Sequence, residues 1–492
     1  MIKDILINRR ESKRTAVVYK GYKYTYRDVY NKVENCVKQI GSVYGNNIGI
    51  FMQNSIEYVV GYFAITFLDK VIVPIEVDSK ERQIISTLEY CEISLILTNN
   101  QNFEYIERIV KLYSKNQIKI FNVDSGRGEL MGGDHRVKYS EPILGHRSKD
   151  DVAIMLHTSG TTSLPKKVML TNENIIMNVN SNIESLQLKD DEVCLIVLPM
   201  YFGYCHTSQF LTMLYLGATL IIYDGVFNPA RFLKMVDEYK CTYTTCVPSM
   251  LFVTTKMKRE RYSLESLKYL CFGGGTMPIA QLRNVLLFFN QTGVVQTYGQ
   301  TEASPRLTCL LPNDATRKMG SVGKAIPGVK IEIVDEEGNV VATGKVGEIV
   351  AKGKNIMKGY YKRRKESEKV LRDGWLHTGD LGRFDEEGYL YIVGRIKNVI
   401  ISGGINVYPE EIEDVLLTND NIKEAFVFGK EHEILGEVPI AKVVVKSKSN
   451  ITKQQIIAYC QNILETRKVP VDIIFCKELE KTNTGKIKRK VK

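Results

Sequence analysis

Between residues 24 and 97 two periodicities alternate along the chain. Residues 26–40, 55–67 and 81–90 repeat their apolar positions every three or four residues, whereas 47–52, 71–75 and 94–97 are short, nearly continuous apolar runs. The first period buries one face of a helix and the second suits a strand buried on both faces, so the alternation predicts a layered α/β domain around a largely parallel sheet. It resumes further on, with strands predicted at 193–199, 218–223 and 242–248 and helices around 207–216 and at 229–239. Residues 124–134 are Gly-rich and polar and read as a surface excursion.

Three loops in this region stand out. An apolar run at 152–156 reads as a strand and residues 172–186 as a helix, which makes the intervening segment a strand-to-helix loop rich in Ser, Thr, Gly, Pro and Lys. Predicted strands at 269–272 and 294–297 run into Gly273-Gly274-Gly275 and Tyr298-Gly299-Gln300-Thr301-Glu302. Ligands in open α/β sheets sit beyond the carboxyl ends of strands, so the three loops are expected to share one edge and form a cleft.

The texture changes after Pro312. Strands are predicted at 330–335, 347–353 and 390–393, with turns at 336–339 and 385–388, which makes 313–394 a β-rich subdomain. Beyond Gly394, helical patterns at 409–417 and 452–464 mix with strands at 425–428 and 441–445. The expected organisation is an N-terminal domain at 1–394 and a small C-terminal α+β domain at 395–492.

Composition adds limits. At 492 residues the chain is too long for one core, and 44% hydrophobic with 25% charged residues is ordinary for a globular protein. Residues 1–14 have no apolar core, and no apolar run approaches the roughly 18 residues of a membrane span, which points to a cytoplasmic protein. The ten cysteines show no CxxC spacing, which favours reduced structural thiols over zinc or disulfides. A net charge of +11 would attract polyanions, but the cations are dispersed and not interleaved with aromatics, which argues against nucleic acid.

The loop Thr158-Ser159-Gly160-Thr161-Thr162-Ser163-Leu164-Pro165-Lys166-Lys167 has the chemistry of a phosphate cradle. Gly160 lets backbone N–H groups approach closely, the hydroxyls can reach phosphate or metal, and the lysines neutralise charge. It is neither a GxxxxGK[ST] loop nor a GxGxxG fingerprint. By itself such a segment is more often a solvated loop.

Five motifs together change that balance: HTSGTTSLPKKV (157–168), YGQTE (298–302), GWLHTGD (374–380), GRIKNVIISGGINVYPEEIE (394–413) and KTNTGKIKR (481–489). In this order and spacing they resemble the adenylate-forming superfamily, which includes acyl-CoA synthetases, luciferase-like enzymes and the adenylation domains of peptide synthetases. The resemblance runs from about residue 24 to the C-terminus. It implies a two-step reaction, in which a carboxylate attacks the α-phosphate of ATP to give an acyl-adenylate and pyrophosphate, and a thiol then displaces AMP. Expected partners are ATP, Mg²⁺, a small-molecule carboxylate, and coenzyme A or the phosphopantetheine of an acyl or peptidyl carrier protein.

The resemblance also distributes roles. Thr158, Ser159, Gly160, Thr161, Thr162 and Lys166 would hold the β- and γ-phosphates, with Thr161 and Glu302 at the metal. Tyr298, followed by Gly299 and Thr301, would face adenine, with Gly273, Gly274 and Gly275 as the opposite wall. Asp380 would accept the ribose hydroxyls and Arg395 would reach the same nucleotide. Lys486 would bridge the carboxylate and the α-phosphate during adenylation, acting with Thr161 and Glu302. Lys397 stands at the hinge of a small C-terminal domain that swings like a lid between half-reactions, and Gly403 and Gly404 would then line the tunnel for the thiol.

The chain departs from the family pattern at Ser163 and Lys167, which replace two usual glycines, and at Phe202, where many acyl- and aryl-CoA ligases carry a histidine. The acid pocket is expected around Tyr201, Phe202, Gly203 and Gly274. Amino-acid-activating relatives place an aspartate near here to pair the α-ammonium. Phe202, Gly203 and Tyr204 offer no such charge, and an unpaired buried ammonium is costly, so an uncharged acyl or aryl chain is favoured over an amino acid. His206 is weighed as packing rather than a substrate contact. Two alternatives stay open: an acyl-AMP ligase that loads only a carrier protein, and a nucleotide-binding scaffold without turnover.

Overall fold

The computed structural model describes residues 1–43, 45–113, 118–125, 128–129, 148–158, 166–275, 277–447, 449–481 and 487. Two large sheets organise the N-terminal part. Across the nine-stranded sheet the order is Lys324–Ala325, Arg306–Leu310, Gly293–Gly299, Tyr269–Phe272, Tyr243–Cys246, Val193–Ile196, Thr219–Ile222, Thr15–Tyr19 and Tyr22–Thr25. Its centre is parallel and its two ends are closed by antiparallel pairs. The eight-stranded sheet runs Gly359–Tyr360, Lys167–Thr171, Val152–His157, Val71–Pro74, Asn47–Phe51, Ile93–Thr98, Lys119–Asn122 and Gly128–Glu129.

One apolar core joins the two sheets. Val17 and Leu195 from the first meet Ile48 and Ile50 from the second, with Val29, Val59, Phe63 and Ile175 from helices Tyr26–Ile40, Ile56–Phe67 and Asn172–Leu186 between them. A helix held between layers is apolar all round, which explains the burial of every residue from Ile56 to Ile65 except Glu57. Thr25 with Asp28 and Thr171 with Asn174 form capping boxes that start two of these helices, each threonine satisfying a backbone N–H that the helix leaves open. The outer face of the eight-stranded sheet is covered by helices Glu81–Tyr90 and Phe103–Tyr113 through Ile84, Leu88, Ile106 and Ile109.

Three expectations need correction. The phosphate-cradle loop joins two strands, not a strand and a helix, because Lys167–Thr171 pairs antiparallel with Val152–His157 before helix Asn172–Leu186 begins. Val168 and Leu170, both fully buried, hold that strand in place, and five residues are too few for periodicity to separate it from the helix behind it. The three loops also do not leave one sheet edge. The first comes from the eight-stranded sheet and the other two from the nine-stranded sheet, so the cleft lies where the sheets approach. The segment predicted as a helix around 207–216 is composite: Gly203–Cys205 and Thr212–Leu216 are α-helical, and His206–Leu211 between them is wound as a π-helix.

The β-rich region is a five-stranded sheet of Val329–Val334, Gly347–Gly353, Trp375–Phe384 and Leu371–Arg372, with Leu390–Arg395 paired to Trp375–Phe384. After a single turn at Ile396–Asn398, which carries Lys397, the chain enters a last sheet of Ile405–Val407, Ile400–Ser402, Gly436–Val445, Ile422–His432 and Asp472–Phe475. Helices Pro409–Leu417 and Lys453–Gln461 cover this sheet over its own core of Val407, Ile412, Leu416, Val443 and Ile456. The fold is therefore α/β, a large N-terminal portion with a β-rich part followed by a small α+β portion.

All ten cysteines are free thiols, nine of them buried. Among the described residues no helix is long and apolar enough to cross a membrane, and no cluster of three His, Cys, Asp or Glu is placed to hold a metal ion.

Candidate active site

The β-rich sheet brings Asp380 directly opposite Arg395 in neighbouring strands. Arg395 Nε lies 2.7 Å from Asp380 Oδ1, and the Tyr298 hydroxyl donates to Oδ2 over 2.8 Å. The Asp380 backbone N–H donates to Thr378 Oγ1, which pins the turn that presents the carboxylate. Asp380 is only 3% exposed, and both of its oxygens are paired. Burial, and then the Asp380 charge, push the Tyr298 phenol well above its ordinary range, so it remains a donor. Each carboxylate oxygen has two lone pairs, so both can still accept from a diol.

Glu302 sits on a short turn at Thr301–Ala303, directly after strand Gly293–Gly299. The Tyr360 hydroxyl donates to Glu302 Oε1 at 2.8 Å, and Lys166 Nζ lies 4.6 Å from the centre of the Tyr360 ring. Lys166 in turn pairs with Glu366 Oε2 at 2.8 Å, and Arg363 holds the other oxygen of Glu366 at 2.6 Å. Backbone pairing builds this group, since Gly359–Tyr360 adds to the edge of Lys167–Thr171 and sets Tyr360 beside the end of the cradle. Burial raises the Glu302 carboxyl above its usual range, an effect opposed by the Tyr360 hydrogen bond and by the charges of Arg395 and Lys166. Lys166 first, and then Arg363, lower that of Glu366.

The action of the Arg395 charge on Glu302 links the two groups, which sets Lys166, Glu302, Tyr298, Asp380 and Arg395 in one site of alternating charge. Glu302 takes the Tyr360 hydrogen bond on Oε1, and among the described residues no protein cage of carboxylates surrounds it. A lone carboxylate suits Mg²⁺, which keeps most of its waters and binds proteins through one or two carboxylates plus substrate phosphates.

Close backbone approach explains two of the glycines. A Cβ on Gly299 would stand 1.9 Å from the Pro305 carbonyl oxygen, and one on Gly273 would stand 2.5 Å from Thr297 Oγ1. Gly299→Ala must therefore displace the strand that carries Tyr298 and leads into the Glu302 turn. It is expected to lower unfolding free energy by about 1–3 kcal/mol, as overpacking does, and to raise the KM for ATP; a urea melt and steady-state kinetics on one preparation check both. Gly274 adopts a left-handed φ of +79°, and Gly275 lies beside Pro248.

The acid-pocket candidates lie next to these strands. Gly203 packs against Leu156 and Thr301, and Tyr201 and Phe202 are half-buried against the joint core. The hydroxyls of Thr297 and Tyr204 are 2.9 Å apart. His206 is fully buried with Nε2 2.8 Å from the Tyr62 hydroxyl, a packed core residue as weighed from the sequence.

Other candidates are placed elsewhere. Ser159, Gly160, Thr161, Thr162 and Lys486 lie outside the described residues. Thr158 closes the base of the cradle hairpin, its N–H donating to the Lys166 carbonyl at 3.2 Å. Gly403 and Gly404 form the two-residue turn between Ile400–Ser402 and Ile405–Val407, both with positive φ, and the Gly403 backbone packs against Arg467 of the same C-terminal portion. Lys397 is exposed in the linking turn. The sequence did not signal Tyr360 or Glu366: both lie within the span of the β-rich region, far along the chain from the cradle, and only the pairing of Gly359–Tyr360 with Lys167–Thr171 brings them to Lys166.

Comparison with known proteins agrees with this geometry. A family model described as AMP-binding enzyme matches residues 7–361, and one described as AMP-binding enzyme C-terminal domain matches residues 411–486. A 2-succinylbenzoate–CoA ligase of Oceanobacillus iheyensis is 30% identical over 95% of this chain and 94% of its own length. The o-succinylbenzoate CoA synthetase of Bacillus subtilis, solved with its acyl-adenylate intermediate OSB-AMP, superposes with a TM-score of 0.85 at 27% identity, covering 98% of this chain and 96% of that one. The same enzyme solved with ATP and a magnesium ion gives a TM-score of 0.86 at 26% identity, over 98% of each chain.

Proposed function

The chain belongs to the AMP-binding enzyme family and is an ATP-dependent, AMP-forming acid–thiol ligase, and from that premise we propose that it joins an aryl or acyl carboxylate, not an amino acid, to the thiol of coenzyme A. The observation that carries this reading is the convergence of Asp380, Arg395 and Tyr298 with Glu302, Tyr360 and Lys166 in one cleft. The relatives named 2-succinylbenzoate–CoA ligases point to an aromatic keto acid of that class and to coenzyme A as acceptor.

In this reading Asp380 accepts the two ribose hydroxyls while Arg395 and Tyr298 hold it in place. Tyr298 and the wall from Gly273 to Gly275 enclose adenine. Lys166, with Thr158, Ser159, Gly160, Thr161 and Thr162, cradles the β- and γ-phosphates, and Glu302 and Thr161 hold the metal. Bound magnesium supplies charge neutralisation between the phosphates. Tyr360 fixes the Glu302 carboxylate and spaces it from Lys166. Lys486 stabilises charge at the α-phosphate as the acid attacks, and Lys397 is the hinge on which residues 395–492 turn to bring Gly403 and Gly404 over the thiol path. The domain boundary belongs at this hinge, and the reaction at home in the cytoplasm.

The raised Glu302 carboxyl gives a pH prediction. Metal binding needs the ionised form, so affinity for Mg²⁺·ATP is expected to fall as pH drops through a value above the usual glutamate range, and Glu302→Gln is expected to remove that limb. Because the folded form holds the proton more tightly than the unfolded chain, ionising Glu302 costs stability as pH rises through its folded pKa. Metal-free protein is therefore expected to be steadier on the acid side of that value. Titration of nucleotide binding with and without Mg²⁺ checks the first expectation, and melts of wild type and Glu302→Gln check the second. The function is tested by following AMP and thioester with 2-succinylbenzoate and simpler aryl and fatty acids, offering coenzyme A and a carrier protein side by side. Thioester formed only on the carrier would overturn the choice of acceptor.

A further inference from the structure

The loop that carries Tyr201 and Phe202 is held by one side chain from a distant part of the chain. Asn54 Nδ2 donates to the Leu198 carbonyl at 2.8 Å, and the Met200 N–H donates to Asn54 Oδ1 at 2.7 Å. The two bonds straddle Pro199, which has no N–H to offer, and the Phe202 N–H closes the turn by donating to the Pro199 carbonyl at 2.9 Å. A primary amide presents a donor and an acceptor side by side, as a neighbouring strand would, so it satisfies both backbone groups at once. Among the described residues no other side chain bonds the backbone of residues 198–202.

Asn54 is itself firmly placed. It follows Gln53, whose side-chain oxygen accepts from Asn102 Nδ2 at 2.6 Å, and it precedes Ser55, whose hydroxyl accepts the Tyr58 N–H at the start of helix Ile56–Phe67. That helix, packed between the two large sheets, also holds the stretch that follows the loop. The Tyr62 hydroxyl meets His206 Nε2 at 2.8 Å, and the Tyr62 ring stands edge-on to Phe210 with centroids 5.0 Å apart, both partners lying in the π-helical segment His206–Leu211. Short π-helical segments concentrate at functional sites. One buried helix and the residue that leads into it therefore brace the chain from Leu198 to Leu211 at two points.

The nucleotide side of the cleft is held independently. The pairings around Asp380 and Glu302 run to Arg395, Tyr298 and Tyr360, and none of them reaches Asn54 or residues 198–202. We propose that Asn54 is a positioning residue for the acid: by fixing the turn at Pro199 it sets where Tyr201 and Phe202 stand, and with them which acids reach the α-phosphate in a reacting geometry. The proposal rests on the ligase reading above, with its acid pocket at Tyr201, Phe202 and Gly203, and deepens it by naming what holds that pocket in shape. Asn54 touches no reacting atom, but a displacement of about 1 Å caused by a change away from the chemistry costs on the order of 10²-fold in rate.

The test is acid-dependent ATP–pyrophosphate exchange with 2-succinylbenzoate, benzoate and octanoate, with the KM for acid and the KM for ATP measured separately. Asn54→Ala is expected to raise the KM for the best acid on the order of 10- to 10²-fold and to narrow the spread of kcat/KM among the three acids, while the KM for ATP and the binding of AMP stay as in wild type. Asn54→Asp, which keeps the acceptor for Met200 and loses the donor for Leu198, is expected to show the same split at smaller size. A residue that merely supports the fold would move both KM values together or neither. If Asn54→Ala does not fold, as loss of AMP binding would show, Asn54→Asp decides by the same split. Acid KM and spread unchanged in the variants, or acid and ATP KM values that rise together, overturn the proposal and leave the ligase reading standing. Wild-type exchange with none of the three acids would overturn the choice of acid itself, and the proposal with it.

Discussion

Lys486→Ala is expected to slow acid-dependent pyrophosphate exchange on the order of 10²- to 10³-fold, the usual loss when one preorganised stabiliser of developing charge is removed. The attack of a carboxylate on the α-phosphate gathers negative charge on one centre, and an ammonium on a long flexible stem is a compact cation that can reach it and withdraw. Lys486 sits in Thr484-Gly485-Lys486, the last of the five motifs, whereas Lys488, Arg489, Lys490 and Lys492 follow as an ordinary basic tail. Two controls separate these roles. Lys488→Ala is expected to exchange as fast as wild type. Transfer from preformed acyl-adenylate to coenzyme A is expected to survive Lys486→Ala, because on the proposed hinge motion this lysine leaves before the second step. An equal loss in both half-reactions would contradict the division of labour.

Asp380→Ala is the second large effect. Two hydrogen bonds from a bound diol to a charged acceptor are worth about 1.5–3 kcal/mol each, so the KM for ATP is expected to rise about 10²-fold or more at roughly 1.4 kcal/mol per tenfold. The same change leaves the half-buried Tyr298 hydroxyl without the Asp380 acceptor and frees Arg395. A loss of about 1–3 kcal/mol in unfolding free energy is expected from the orphaned phenol, and little from Arg395, which is half exposed and can be solvated. The double variant Asp380→Ala with Tyr298→Phe should recover most of that stability and none of the ATP affinity. Isothermal titration of AMP alongside chemical denaturation separates the two; recovery of affinity together with stability would make Asp380 a structural residue only.

The sequence made much of this architecture legible because its signals are local. Helices Tyr26–Ile40, Glu81–Tyr90, Asn172–Leu186 and Pro409–Leu417 and strands Tyr269–Phe272 and Gly347–Gly353 coincide with the expected spans, each bounded by a cap, a proline or a glycine. What was illegible depends on partners distant in the chain. The strand Lys167–Thr171 is defined by its pairing with Val152–His157, and its five residues look like the start of the next helix. The hairpin of Thr15–Tyr19 and Tyr22–Thr25 joins the nine-stranded sheet through Thr219–Ile222, a contact that local pattern cannot foresee.

The site divides in the same way. Asp380, Arg395, Tyr298 and Glu302 stand in motifs, and the structure brings them together. Tyr360 and Glu366 were missed because a tyrosine and a glutamate in a surface-like stretch carry no signal until a strand sets them against Lys166.

The most direct test of the account is ATP–pyrophosphate exchange by the wild-type protein across aryl dicarboxylic, fatty and amino acids, with Mg²⁺ present. The account predicts exchange driven by a non-amino acid, with amino acids inert. Exchange driven by amino acids alone, or by no acid in the panel, would contradict it.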